Sequence, residues 1–115
     1  MQYMLLIHHE RDHVNPADQP QMMQEYMVFT QELVKLGKFK AGDRLESSNG
    51  TRTVRVRNGK TVTTDGPFAE TKEQLGGYYI VDAKDLDEAT SIAARIPGAR
   101  TGSIEVREVA VMPPR

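Results

Sequence analysis

Thr64-Asp65-Gly66-Pro67-Phe68-Ala69-Glu70-Thr71-Lys72-Glu73-Gln74-Leu75-Gly76-Gly77-Tyr78-Tyr79 joins a forced turn, a burst of titratable groups and a glycine pair to the start of a hydrophobic strand. Glycine at 66 permits a positive φ, and Pro67 sets its own φ while lacking a donor, so the pair bends the chain sharply. Two readings of the bend stand side by side. In the structural one, Asp65 accepts hydrogen bonds from the exposed amides of the turn and Phe68 anchors it in the core. In the functional one, the bend aims Asp65 into a pocket, with Glu70 and Glu73 on the same side of a short helical turn at i and i+3. Lys72 lies close enough in sequence to favour the charged form of one carboxylate, and such a set suits general acid–base work. Gly76-Gly77 reads either as a bulge at the start of the strand or as bare backbone that a ligand or partner can approach.

Outward from this block the chain alternates strand and helix signals. Tyr3-Met4-Leu5-Leu6-Ile7 is continuously apolar, as a central strand requires, and a polar loop is expected from His8 to Pro16. Met22, Tyr26, Phe29, Leu33 and Leu36 fall on one stripe of a helix, with Asp18 or Gln19 at its start, Pro20 in its first turn and Gly37 at its end. A second helix starts at Asp85, which with Glu88 resembles a capping box, and Pro97-Gly98 stops it. Strands are expected at Gly77 to Ala83 and at Ser103 to Val111, the latter with a bulge near Arg107-Glu108. Between the first helix and the central block lies an arginine-rich ribbon, Thr51 to Thr64, turning at Asn58-Gly59. A three-residue loop there puts Val62 opposite Val54 and keeps one face apolar, which is the preferred register. The order is that of a ferredoxin-like βαββαβ fold, class α+β, with an extended middle hairpin.

At 115 residues this is one domain, burying roughly two-thirds of its unfolded surface. Charged residues at 27% and hydrophobic residues at 38% are those of an ordinary globule, so disorder is not expected. A net charge of −1 offers no basic excess for nucleic acid and no polybasic segment for a membrane. The absence of cysteine excludes thiolate chemistry and accords with a cytoplasmic setting. The apolar run at the amino terminus is too short for a signal peptide or a membrane span.

Other constellations carry less. His9-Glu10-Arg11-Asp12-His13 matches the zinc-protease string H-E-x-x-H, but that chemistry needs both imidazoles on one helical face, and the segment follows a strand directly. A loop-borne metal site at His8, His9 or His13 is the weaker alternative to surface histidine; no metal and no cofactor is expected. Arg52, Arg55, Arg57 and Lys60 line the ribbon without aromatic stacking partners, which fits a charged, solvated edge better than a nucleic-acid surface. Met22, Met23 and Met27 read as core filler.

The block from Asp65 through Tyr79 resembles the signature of the DGPF branch of the YCII-related family. So do Tyr3 to Ile7, Val54-Arg55-Val56-Arg57-Asn58-Gly59-Lys60, the helix from Asp85 to Ala94, and Ile104-Glu105-Val106-Arg107. The resemblance implies a dimeric α+β barrel, in which two sheets pack face to face around a pocket. It also implies a homodimer, a small-molecule ligand and, as an alternative function, an accessory module tied to a sigma-factor-like regulator. Relatives have been assigned a His–Asp pair, but Tyr26 stands where their helix carries histidine, and an unperturbed phenol titrates only near about pH 10. The expected site is therefore Asp65 as base, Glu70 or Glu73 as second acid–base group, and Tyr26 as hydrogen-bond donor. Lys72 and Arg107 serve as charge stabilisers, with His8 as a further binding residue.

Overall fold

The hydrophobic run at the amino terminus becomes the middle of a four-stranded antiparallel sheet. A computed structural model describes residues 1–10, 19–46, 50–69 and 71–113. Strand β1 (Gln2–Glu10) pairs with β5 (Glu73–Asp82) on one side and β6 (Ser103–Glu108) on the other, and β2 (Phe39–Arg44) completes the order β2-β5-β1-β6. Helices α1 (Pro20–Lys35) and α2 (Leu86–Ala94) cover one face, followed by a 3-10 turn at Pro97–Arg100. With β3 (Arg52–Arg57) and β4 (Lys60–Asp65) set aside as a separate two-stranded sheet, this is the ferredoxin-like order.

Period-two alternation decides which side chains meet the helices. Tyr3, Leu5 and Ile7 of β1 and Tyr79 and Val81 of β5 are buried there, against Phe29 and Leu33 of α1 and Ala89, Ile92 and Ala93 of α2. Phe29 and Phe39 each meet the Tyr79 ring edge-on, at centroid distances of 5.3 and 6.3 Å. Met4, Leu6, Tyr78 and Ile80 point to the other face and stay only half buried.

Local chemistry accounts for the helix ends. Glu88 N–H donates to the Asp85 carboxylate at 2.9 Å, as a cap requires. The reciprocal bond is displaced by one residue: the Glu88 carboxylate accepts from Lys84 N–H at 3.2 Å and from Lys38 Nζ at 2.8 Å. Those two donors, Lys38 foremost, hold Glu88 below the usual carboxylate range. Gly37 takes φ +73° just beyond α1, while Gln19 makes no side-chain cap and Asp18 lies outside the described residues.

Several expectations are corrected. β1 continues through His8 to Glu10 where a loop was expected, because Leu75, Gln74 and Glu73 extend β5 alongside it. β2 has no counterpart in the sequence reading; Lys40, Gly42, Asp43 and Arg44 mask its alternation. β6 stops at Glu108 without the expected bulge. Val109 N–H still donates to Gln2 O at 2.8 Å, but the ladder with β1 ends at Tyr3↔Glu108, and Val111 is 90% exposed. Leu36 keeps the helical phase but stands just past the end of α1 and is exposed. The ribbon takes the two-residue turn, pairing Arg57 with Lys60 and Arg55 with Val62, not the three-residue loop. Asn58 and Gly59 both adopt positive φ, 53° and 75°, so turn chemistry governs where no buried face enforces the apolar register.

Candidate functional site

An open cleft of about 540 Å³ lies between α1 and the β2–β5 side of the sheet. Its walls are apolar or aromatic: Ile7, Met23, Met27, Phe39 and Tyr79. Tyr26, Thr30 and Gln31 from α1 bring polar groups, Asp43 and Arg44 come from the end of β2, and Gly42, Gly76 and Gly77 supply bare backbone. Volume and lining are those of small-ligand sites in general.

The hydroxyls follow from hydrogen-bond arithmetic. Thr30 Oγ1 donates to the Tyr26 carbonyl at 2.8 Å, one turn back in the helix. Its single proton being used there, the 2.7 Å contact with Tyr79 Oη has Tyr79 as donor. Tyr26 differs: its hydroxyl accepts the Gly98 N–H at 3.1 Å, and no described residue takes its proton. Burial pushes this phenol up to about 12, only partly offset by the Gly98 amide, so it stays protonated at physiological pH. It is a protonated phenol on a residue of the cleft wall and not a base. The approach needs glycine at 98, where an added Cβ would lie 2.5 Å from Tyr26 Oη.

Other expected site residues lie elsewhere. Gly66 has φ +103°, so the forced bend exists, but it ends β4 on the ribbon. There the Asp65 side chain is 92% exposed, with its carboxylate 3.4 Å from Arg52 Nε. Phe68 does not anchor the bend in the core: it is 79% exposed and lies under the Arg55 guanidinium, 5.5 Å from ring centroid to Cζ. Glu73 is on no helical turn; it opens β5 opposite Glu10, whose carboxylate is 4.0 Å from Lys72 Nζ. Glu70 lies outside the described residues. His8 and Arg107 share the half-open sheet face, where His8 Nε2 is 3.6 Å from Glu105 Oε1. One chain therefore does not bring Asp65, Glu73 and Tyr26 together.

The H-E-x-x-H string is extended where it is described, since His9 and Glu10 end β1; His13 lies outside the described residues. Among the described residues no group of three or more His, Asp or Glu is placed to hold a metal ion. Gly76 is the extra residue of a bulge, between Ile7↔Gly77 and His8↔Leu75. Gly77 admits the Asp43 carbonyl, 3.0 Å from where its Cβ would stand. Both glycines also line the cleft. Met23 and Met27 are not core filler: they are 43% and 57% exposed on the cleft wall. Helical spacing separates a methionine inside a core from one beside a cleft only when the opposite wall, here β2, is recognised.

Gln74 went unremarked in the sequence, yet it is the buried polar side chain that ties down the loop after the bend. The two protons of its Nε2 serve three acceptors, Ala69 O at 3.1 Å, Thr71 O at 2.9 Å and Thr71 Oγ1 at 2.9 Å, one proton being shared. Gln74→Ala strips these acceptors of their donor and is expected to lower folding stability by about 1–3 kcal/mol in urea titration.

Sheet order, helix placement and cleft define an α+β protein of ferredoxin-like topology with a ligand-sized cavity under its first helix. The chain belongs to the YCII-related family, whose domain profile matches residues 1–113. It is 40% identical over 95 residues to an uncharacterised protein of Rhizobium meliloti (strain 1021), covering 81% of this chain and 77% of that protein. Its fold is similar to 5-chloro-2-hydroxyhydroquinone dehydrochlorinase of Burkholderia phenoliruptrix AC1100, solved in complex with 2,5-dihydroxybenzoquinone. The TM-score is 0.55 at 13% identity, over 96% of this chain and 94% of that one.

Proposed function

We propose that this YCII-related protein, of the DGPF branch by the resemblance of its 65–79 block, binds a small ring compound bearing hydroxyl or carbonyl oxygen in the α1–β2–β5 cleft. One observation carries the reading: Tyr26 lines the cleft as a neutral phenol, its oxygen occupied by Gly98 N–H and its proton unspent. Methionine and aromatic walls suit a flat ring, and a few polar groups in an otherwise apolar site, Tyr26 among them, fix its orientation. A protein of similar fold with a dihydroxybenzoquinone bound supports the same ligand class. The dimeric barrel belongs to this reading too, since Met4, Leu6 and Ile80 leave the second sheet face in need of cover. Acid–base catalysis by Asp65 extends it to an enzyme and requires that carboxylate to reach a cleft from which, in its own chain, it stands apart.

The test is titration calorimetry with hydroxybenzenes and hydroxybenzoquinones against wild type, Tyr26→Phe and Asp65→Asn. Tyr26→Phe is expected to weaken the best binder about tenfold, the worth of one hydrogen bond of about 1.4 kcal/mol. Asp65→Asn is expected to leave affinity unchanged. Equal affinity for wild type and Tyr26→Phe would remove the donor role and with it this reading of the cleft.

A further inference from the structure

We propose that the β3–β4 ribbon is an arm that docks on a second copy of this chain. It packs its valine face on the β6 margin of the partner's sheet, where Glu105 lies on the half-open face and Glu108 on the other side of the same edge strand. The inference rests on the second copy in the reading above and goes beyond it by naming the element that holds the copies together.

A lone hairpin is marginal in water, and this one forms a sheet of its own. Its internal ties are at the root: Gly66 N–H donates to Thr51 O at 2.7 Å and Thr53 Oγ1 to Gly66 O at 2.9 Å. Beyond the root the strands contact chiefly each other. Register sorts the side chains. Val54, Val56, Thr61 and Thr63 share one face, and Arg55, Arg57, Lys60 and Val62 the other. Val54 and Val56 are 58% and 62% exposed, although β-branched residues favour a half-buried sheet surface. The radius of gyration is 16.0 Å, against roughly 13 Å for a compact chain of this length.

Charge favours a second copy as the occupant. The ribbon from Thr51 to Gly66 holds four cations and one carboxylate, so its net +3 leaves −4 on the remainder of a chain whose total is −1. Each copy thus offers a cationic arm and an acidic body, which suits an isologous dimer in which both arms are used. On β6, Glu105 and Glu108 are both exposed, and the strand is an edge of the sheet. Arg57 and Lys60 pair at the tip on the face opposite the valines, so in the docked arm they meet such carboxylates from its end and not across its valine face. Six residues per strand make the arm about 20 Å long, enough to span a four-stranded sheet about 15 Å across.

Sedimentation velocity tests this on wild type, Val54→Glu/Val56→Glu, Arg57→Glu/Lys60→Glu and Leu6→Gln. Circular dichroism follows the fold of each. Wild type is expected to be a dimer, the valine variant to dissociate about a hundredfold more readily and the charge variant about tenfold. If the valine variant fails to fold, the charge variant decides. A wild-type monomer would overturn both the arm and the barrel, whether or not the cationic ribbon then retains nucleic acid. Folded ribbon variants that stay dimeric while Leu6→Gln dissociates would overturn the arm alone.

Discussion

Gly102→Ala is expected to lower folding stability by about 3 kcal/mol, measured by urea denaturation. A Cβ at this position would stand 2.0 Å from the His8 carbonyl oxygen, 3.2 Å from its carbonyl carbon and 3.4 Å from Gly98 O. All three are backbone atoms and have no rotamer through which to yield. Gly102 N–H also donates to Gly98 O at 2.8 Å, closing the turn that brings the chain into β6 beside β1. The alanine must therefore push apart two structures at once: the pairing of His8 with Ser103 and the 3-10 turn that presents Gly98 to Tyr26. Loss of the second makes the variant a probe of the cleft as well. Stability equal to wild type would show that β1 and the turn are not in the contact described.

Leu33→Ala is expected to cost about 3 kcal/mol, within the range for buried leucines, whereas Leu36→Ala changes stability by less than about 0.5 kcal/mol. Both residues satisfy the helical spacing, and only geometry separates them. Leu33 is fully buried between α1 and the sheet, while Leu36 sits at the helix end and is 60% exposed. Equal losses in thermal or urea unfolding would contradict the packing of α1 on the sheet.

The pair also shows where sequence reasoning succeeds. Periodicity finds elements whose burial is one-sided: β1, α1, the Asp85 cap of α2 and most of β5 were legible because their apolar residues recur at the spacing that the structure uses. It fails where burial is weak. β2 alternates poorly because Gly42 faces Tyr79 and its far end is charged, so Phe39 alone signals a core contact. The ribbon register was misread because apolar matching was assumed to rule a hairpin that has no core beneath it.

Little of the candidate site was legible. Spacing put Tyr26 on the apolar stripe of α1, its donor role came only from the family resemblance, and the glycine pair at 76 and 77 read equally as a bulge or as bare backbone. Asp65 drew notice because its bend is conspicuous in one dimension, yet Arg52 and solvent receive it in three. Thr30, Gln31 and Arg44 gave no signal, since nothing in local spacing shows that α1 and the end of β2 enclose a common space.

The account's central claim is that the cleft beside Tyr26 receives an oxygen-bearing ring. Its four tyrosines make the protein its own reporter, for Tyr26, Tyr78 and Tyr79 line the cleft and Tyr3 does not. Nuclear magnetic resonance of ring-labelled tyrosine, followed as hydroxybenzoquinones are added, is the most direct measurement. The prediction is a saturating shift largest at Tyr26 and none at Tyr3. A saturating shift at Tyr3 with Tyr26 unmoved, or no saturating response to any of these ring compounds, would contradict it.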